Sequence, residues 1–475
     1  MTSSFTYNDV TIHANRDDVE EEVFTYIDEM ADVEFFDTEN IHIMPDVHVE
    51  PNSRTLIGFT MPFTDSLSPE IIGPDAGCGV AGARLENVSA DQIPEDIISS
   101  VEKVVPLGRG EYSAPERTRD DGVHFRDEFP YETATDRLQT FKSNVSQDYE
   151  VISEFLEEGG YSFDWAMNEF IPRVGLDTDT VISGLGTLGD GNHFLEVGVD
   201  DENKVWVLGH SGSRKVGGQV FGYHNDIAKN HAVGLQYIDA FTDLGKDSKY
   251  LNFDPTETSP VDVFEWVTGG KGGSHIDKEQ VREDYDGEEI QEAFDRLSPE
   301  TERDIQWPVL TGEALGQYYI DMIFAQVYAE VNRKTMIELV CERIQDDVKF
   351  DEYIDNPHNL LSFKDGIIRK GAMSAGDSEK GIIPFNMDEG AVVVTGNGNT
   401  ETNSSAPHGA GRVGSATEAR EMFEAGNASE PSVLTNSTDT GEYPHAYKSS
   451  DNILPYIDSF ATVETHIEPL YNIKA

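Results

Sequence analysis

The sequence predicts a mixed α/β fold of the α+β kind, and three observations carry that expectation. Short apolar runs bounded by glycine, proline and asparagine read as strands, the clearest at 41–48, 205–208 and 392–394. Longer stretches place apolar residues at helical spacing, most strongly over 317–346. The chain has 475 residues, 37% hydrophobic and 26% charged, so it is folded rather than disordered and long enough for a large core.

In chain order, residues 1–40 are acidic and carry a helix near 19–31. The segment 41–48 runs from a strand into a loop, and Ile71 to Val80 forms a Gly-rich turn between apolar stretches. Residues 92–105 and 145–157 read as helical. Val205-Trp206-Val207-Leu208 is a short buried strand leading into His210. Residues 235–305 are acidic, carry Gly269-Gly270-Lys271-Gly272-Gly273 and lack a sustained period, so they read as an insertion. The helix over 317–346 bears Tyr319, Ile323, Val327, Val331 and Ile337, a stripe that reads as core packing rather than a cofactor box. Val392-Val393-Val394 is a buried strand ahead of a loop containing His408. Ser415-Ala416-Thr417-Glu418 then fits a capping box, with Gly426 closing the helix. A helix N-terminus so close to His408 would favour phosphate, but the motif alone reads as an ordinary capped surface helix.

The charge balance is extreme, with 90 acidic and 34 basic side chains and a formal net charge of −56. The acids are spread along the chain, so they read as a solvated surface suited to concentrated salt, where the Debye length falls to about 3 Å at 1 M. A haloarchaeon or one of its viruses is the expected source; the competing reading is an acidic protein that binds cations or basic partners. Such a surface normally argues against nucleic acid, but screening in high salt lets a locally basic cleft hold a phosphate chain. Two cysteines, Cys78 and Cys341, cannot build a disulfide framework, which fits a reducing cytoplasm. No apolar run is long enough to span a membrane, and Met1-Thr2-Ser3-Ser4-Phe5 lacks a secretory pattern.

The chemistry lies in scattered Gly-rich stretches. Cys341 sits in an apolar stretch and reads as a small buried residue, whereas Cys78 sits in a Gly-rich turn three residues after Asp75. A thiolate and a carboxylate at that spacing can converge on one point, and one sulfur can bridge two ions. His193 lies in Gly186 to Glu196, flanked by Asn192 and Glu196. His210 is followed by Ser211-Gly212-Ser213-Arg214, a turn able to donate several N–H groups to an oxyanion. His358 follows Pro357, and His408 stands in Ser405-Ala406-Pro407-His408-Gly409-Ala410-Gly411-Arg412, where small residues let ligand and backbone approach. Any one of these histidines reads as a hydrogen-bonded residue near the core. Together they suggest a soft-metal site, for Zn, Mn, Fe or Co, beside a nucleophilic histidine.

These residues resemble the RtcB family of RNA ligases. The resemblance runs from Met44 to the C-terminal end and rests on Met44-Pro45-Asp46-Val47-His48, Asp75-Ala76-Gly77-Cys78-Gly79, Gly186 to Glu196, His210 to Arg214, Arg369-Lys370-Gly371-Ala372 and Pro407 to Arg412. It implies one large domain over 1–475, with central sheets around a metal cleft and the 235–305 insertion inside it. It implies GTP and two Mn²⁺ ions, one held by Cys78, His193 and His210 and the other by Asp75, Cys78 and His358. It makes His408 the guanylylated residue and puts Asn192, Glu196, Gly409, Ala410, Gly411, Tyr447 and Lys474 at the nucleotide. Arg214 and Arg412 fall on positions suited to RNA phosphate. The implied substrates are RNA with a 3′-phosphate or 2′,3′-cyclic phosphate and RNA with a 5′-hydroxyl, with an archease-type activator as a further partner.

Three departures stand out. Ile383-Pro384-Phe385-Asn386-Met387-Asp388-Glu389-Gly390 replaces a Gly-Ser-Met-Gly turn usual in the family and brings two acids near the expected nucleotide. Lys215 stands for a usual glycine, and Ala416 for a usual arginine. The altered turn keeps two alternatives in view: a metal-dependent phosphodiesterase that opens cyclic phosphates without ligating, and an inactive RNA-end-binding protein.

Overall fold

The computed structural model describes residues 4–49, 55–108, 110–117 and 121–475. Residues 1–3, part of the N-terminal pattern considered above, lie outside the described residues. The fold is mixed α/β, as expected, and two large sheets organise it.

The eight-stranded sheet forms the frame of the site. Its spatial order is Phe350–Pro357, Gly79–Leu85, Val205–Ser211, Phe194–Asp200, Ala461–Ile473, Ala391–Gly396 and Lys380–Pro384, with antiparallel neighbours. Leu434–Thr435 pairs in parallel with Ala461–Ile473. The two edges nearly meet, because the Asn356 side chain donates to the Ile382 carbonyl at 3.1 Å and accepts from the Ile382 N–H at 2.9 Å. Strand alternation sorts the faces. Val80, Trp206, Leu208, Ile382, Val393 and Ile467 pack together on the inner face. Gly82 shares that face, where a Cβ would come within 2.4 Å of Ile382 and 2.7 Å of Leu208. Ala81, Ala83, Leu195, Val197 and Val207 point outward and pack on Met336, Ile337 and Val340.

The six-stranded sheet runs Phe5–Tyr7, Val10–Ile12, His42–His48, Ile57–Pro62, Ile367–Lys370 and Asn359–Ser362. The largest core cluster joins it to the helices Glu21–Ala31, Tyr131–Asn144, Glu150–Glu157 and Gly312–Cys341.

The expected elements are present with shifted ends. The long helix is Gly312–Cys341 rather than 317–346. It is buried around most of its circumference, so the stripe is core packing but not the only buried face. The helix expected over 92–105 is reduced to Ile97–Val101, with a separate turn at Ala90–Gln92. The strand begun at 205 continues through His210 to Ser211. The helix Ala416–Glu424 carries the reciprocal cap: Ser415 N–H donates to Glu418 at 2.8 Å, and Glu418 N–H donates to Ser415 at 3.2 Å.

The 235–305 region requires a correction. It carries regular helices. The helix Lys215–Thr242 runs into it, and Pro260–Thr268, Lys278–Asp284 and Glu288–Arg296 follow. They enclose a small core containing Tyr237, Phe241, Tyr250, Val263, Val281 and Leu297. Helices of 9, 7 and 9 residues are too short to show a sustained apolar period. Among the described residues, no helix is long and apolar enough to cross a membrane.

Candidate active site

Sheet register brings the metal-type residues together. Gly79 pairs with Ser211 on one side and Pro357 on the other. Neighbouring positions Cys78, His210 and His358 therefore meet at one end of the curled sheet. Phe194 pairs with His210, which brings His193 alongside. Asp75 joins them from the turn before Cys78, closed by a 3.2 Å bond from Cys78 N–H to the Asp75 carbonyl. Two glycines make room: a Cβ on Gly77 would come within 2.9 Å of Ala329, and one on Gly212 within 2.3 Å of the Asp75 carboxylate.

The Cys78 sulfur lies 3.2 Å from His210 Nε2 and 3.6 Å from His193 Nε2. His210 and His358 Nε2 atoms are 3.3 Å apart, and His193 Nε2 is 3.8 Å from the Asp75 carboxylate. Two ligand groups result, Cys78–His210–His358 and Asp75–Cys78–His193, sharing the sulfur. All five expected ligands thus converge, but their division differs from the one the resemblance implied: His193 stands with Asp75, and His210 with His358. The donors suit a cation. His193 Nδ1–H donates to the Leu188 carbonyl at 2.9 Å and His210 Nδ1–H to that of Asn192 at 3.2 Å, which aims both unprotonated Nε2 atoms at the sulfur. Burial holds His210 and His358 well below the usual imidazole range, so their lone pairs are free. Burial, with Asp75 beside it, pushes the Cys78 thiol up, the state a bound cation would reverse.

His408 stands beside this cluster, its ring centroid 4.6 Å from that of His358. The strand pair Ala372–Ser374 and Ser405–Pro407 carries it there. The Asp46 carboxylate accepts from His408 Nδ1 at 2.7 Å and from its backbone N–H at 3.1 Å. In the neutral ring that bond fixes the tautomer, with the proton on Nδ1 and the lone pair on Nε2. The His48 Nδ1–H donates to the Asp46 carbonyl at 2.9 Å, and burial lowers the His48 pKa to about 4. Asp46 and His48 lay inside a quoted motif, but nothing in the sequence assigned either a role.

A cavity of about 540 Å³ runs from the metal cluster along the Gly409-Ala410-Gly411 loop. Asn192, Glu196, Tyr447 and Lys474 also line it, joined by Glu442 and Asn472. Burial pushes Glu196 up to about 8 despite an Asn472 amide donor at 3.0 Å, so it holds a proton at neutral pH. Glu442 was missed and is the hub of this group. It binds Lys474 at 3.0 Å and Arg412 at 3.0 Å, and accepts from the Tyr447 hydroxyl. Burial opposes its charge, but Lys474 and Arg412 outweigh that and keep it ionised.

Two expectations for basic residues change. Arg412 lines the cavity, but its guanidinium is bound to Glu442, the Gly441 carbonyl at 2.7 Å and the Gly414 carbonyl at 3.2 Å. Arg214 does not line the cavity: its Nε–H donates to Thr187 at 3.0 Å, and its guanidinium packs over Gly189. The two acids of the altered turn are also corrected. Asp388 accepts from the Ser432 and Val433 N–H groups at 2.8 and 3.1 Å, and Glu389 from the Ser450 N–H at 2.6 Å. Neither lines the cavity, whereas Phe385, Asn386 and Met387 do.

Fold and site together define a class: a mixed α/β protein with a buried Cys/His/Asp centre at the mouth of a curled sheet and a carboxylate-held histidine beside it. The sequence model of the family described as tRNA-splicing ligase RtcB matches residues 27–252 and 272–475. The chain belongs to the RtcB family. It is similar to the RNA-splicing ligase RtcB of Escherichia coli K12, 26% identical over 457 residues, covering 92% of this chain and 88% of that protein. It is also similar to the tRNA-splicing ligases RtcB of Pyrobaculum aerophilum, at 24% over 82% of this chain and 77% of that one, and of Nanoarchaeum equitans, at 23% over 81% and 77%. The unmatched residues 253–271 fall within the helical region corrected above.

Proposed function

We propose that this RNA ligase joins an RNA 3′-phosphate or 2′,3′-cyclic phosphate end to a 5′-hydroxyl end, through a guanylate carried on His408. The observation that carries the reading is the Asp46–His408 pair at 2.7 Å, set against the Cys78 cluster. Asp46 holds the proton on Nδ1, so Nε2 attacks the α-phosphorus of GTP. An N–P bond forms as the P–O bond to pyrophosphate breaks, and Asp46 balances the charge on the ring. The guanylate next passes to an RNA 3′-phosphate oxygen, breaking the N–P bond. A 5′-hydroxyl oxygen attacks that activated phosphorus and GMP leaves. A cyclic phosphate is first opened by water.

The residues that would hold two Mn²⁺ ions are Asp75, Cys78 and His193 for one and Cys78, His210 and His358 for the other. Bound cations would supply charge neutralisation at phosphate oxygens. Glu196, Asn472, Tyr447 and Lys474 would receive the guanosine end, with the protonated Glu196 both donating and accepting. Gly409, Ala410 and Gly411 let the phosphate chain pass close to backbone N–H groups. The setting we assign is a high-salt cytoplasm, given the −56 formal charge.

The hydrolase alternative rests on the altered turn, whose Phe385, Asn386 and Met387 line the cavity; its acids Asp388 and Glu389 are engaged by backbone outside it, and the Asp46–His408 pair favours the ligase reading. The test is incubation with α-labelled GTP and Mn²⁺ in molar KCl. An acid-labile, base-stable label on the protein, absent from His408→Ala, is expected. An unlabelled wild type that still opens a cyclic phosphate would overturn the ligase reading.

A further inference from the structure

The cavity has a third wall that neither the metal cluster nor the nucleotide end uses, formed by one face of the helix Lys215–Thr242. Phe221, Asn225 and Lys229 line it at four-residue steps, about 6 Å of helical rise each. The helix starts at the metal turn: a Cβ on Gly217 would come within 2.8 Å of the Pro74 carbonyl and 3.1 Å of the Ala76 nitrogen. From Gly217 to Lys229 the wall therefore leads away from Asp75 and Cys78 over roughly 18 Å. Glu70 completes it. Its carboxylate accepts from the Trp307 N–H at 3.0 Å and the Asn225 amide at 3.4 Å, and lies 3.5 Å from the Lys229 ammonium.

The chemistry of this wall is specific. Asn225 is 7% exposed, and its Oδ1 is buried with no hydrogen-bond partner among the described residues. An amide oxygen left so costs about 1–3 kcal/mol until a donor satisfies it. Phe221 is half-buried and offers a ring, and Lys229 brings a cation into the cavity of a strongly acidic chain. An aromatic face, a hydrogen-bond acceptor and an ammonium, in that order along one helix, match the base, ribose hydroxyl and phosphate of a single strand.

We propose that Phe221, Asn225, Lys229 and Glu70 form a ribonucleotide subsite that seats an RNA end leading into the metal cluster, with Asn225 accepting from a 2′-hydroxyl. This rests on the RNA-ligase reading for its substrate class. The subsite makes the protein favour RNA over DNA of the same sequence.

The experiment measures binding of fluorescent single strands by anisotropy without GTP, across a KCl series. RNA with a 5′-hydroxyl, RNA with a 3′-phosphate and the matching DNA strands are separate arms. Wild type binds RNA more tightly than DNA. Asn225→Ala loses up to about tenfold for RNA and little for DNA, which collapses the preference. Lys229→Gln, at a position with a side chain 31% exposed, flattens the slope of log affinity against log salt by about 0.7, and Lys229→Arg restores it. The RNA arm that loses affinity names the strand seated there. Equal RNA and DNA binding by wild type, or both variants binding RNA as wild type does, overturns the subsite. The assay reads no catalysis, so absence of a GTP label would defeat the ligase reading separately.

Discussion

Two buried carboxylate–imidazole pairs in this molecule have the same length and opposite surroundings. Asp46 holds His408 at 2.7 Å, and Asp321 holds His224 at 2.7 Å. The His408 side chain is 18% exposed, lines the cavity and keeps Nε2 free beside His358. The His224 side chain is 0% exposed, its Nε2 is the atom bound to Asp321, and Arg173 clamps the same carboxylate at 2.6 and 2.8 Å. One pair faces the cavity; the other joins the helices Lys215–Thr242 and Gly312–Cys341 to Arg173. The length of the bond does not separate a working pair from a structural one. Access, and whether a guanidinium already pairs with the carboxylate, does.

That contrast can be broken from both sides. The largest effects belong to the cavity. Cys78→Ser should lose most bound Mn²⁺ by elemental analysis while the melting temperature of the metal-free protein stays near wild type; unchanged metal content would remove the shared-sulfur centre. Asp46→Asn should cut the rate of GTP labelling about 10²–10⁴-fold, because the ring loses its fixed tautomer and its counter-charge. Asp321→Asn should do the reverse. It leaves Arg173 short of its partner charge and should lower unfolding free energy by about 3–5 kcal/mol in denaturant melts, with labelling of the folded fraction retained. Equal loss of labelling in both variants would erase the distinction.

Smaller effects sharpen the nucleotide end. Glu442→Gln should raise KM for GTP about tenfold with a smaller change in kcat, since Lys474, Arg412 and Tyr447 lose their common anchor. Glu196 gives the smallest effect. Its carboxyl keeps a proton in the fold up to about pH 8, whereas an unfolded glutamate loses it near pH 4.3. Its stabilisation is therefore complete below the unfolded value and drains as pH rises through 8. Between pH 7 and 8 that amounts to about 1 kcal/mol, and Glu196→Gln should flatten the slope in that window.

The sequence revealed the site better than the frame around it. Asp75, Cys78, His193, His210 and His408 sit in Gly-rich stretches and His358 follows a proline, and all six come together. Asp46 carried no local signal, because its partner is 362 positions away. Glu442 was equally hidden, 30 residues from Arg412 and 32 from Lys474. The pairing of ligands into two groups depends on strand register, which spacing does not report. Asp388 and Glu389 looked like charges aimed at the nucleotide, but the turn at Asn386 directs both carboxylates onto neighbouring backbone. The short helices after 242 escaped notice because each offers its apolar face for only two or three turns.

The near-closure at Asn356 has a last consequence for how this protein could change. Cys78, His210 and His358 are neighbours only because three strands are locked in one alignment, stitched at the seam by a side-chain amide. Removing a single residue between Val205 and Leu208 would turn His210 from one surface of the sheet to the other and put Ser211 in its place. Turns and helices outside these strands can change without moving the cluster, whereas a strand cannot be shortened by one.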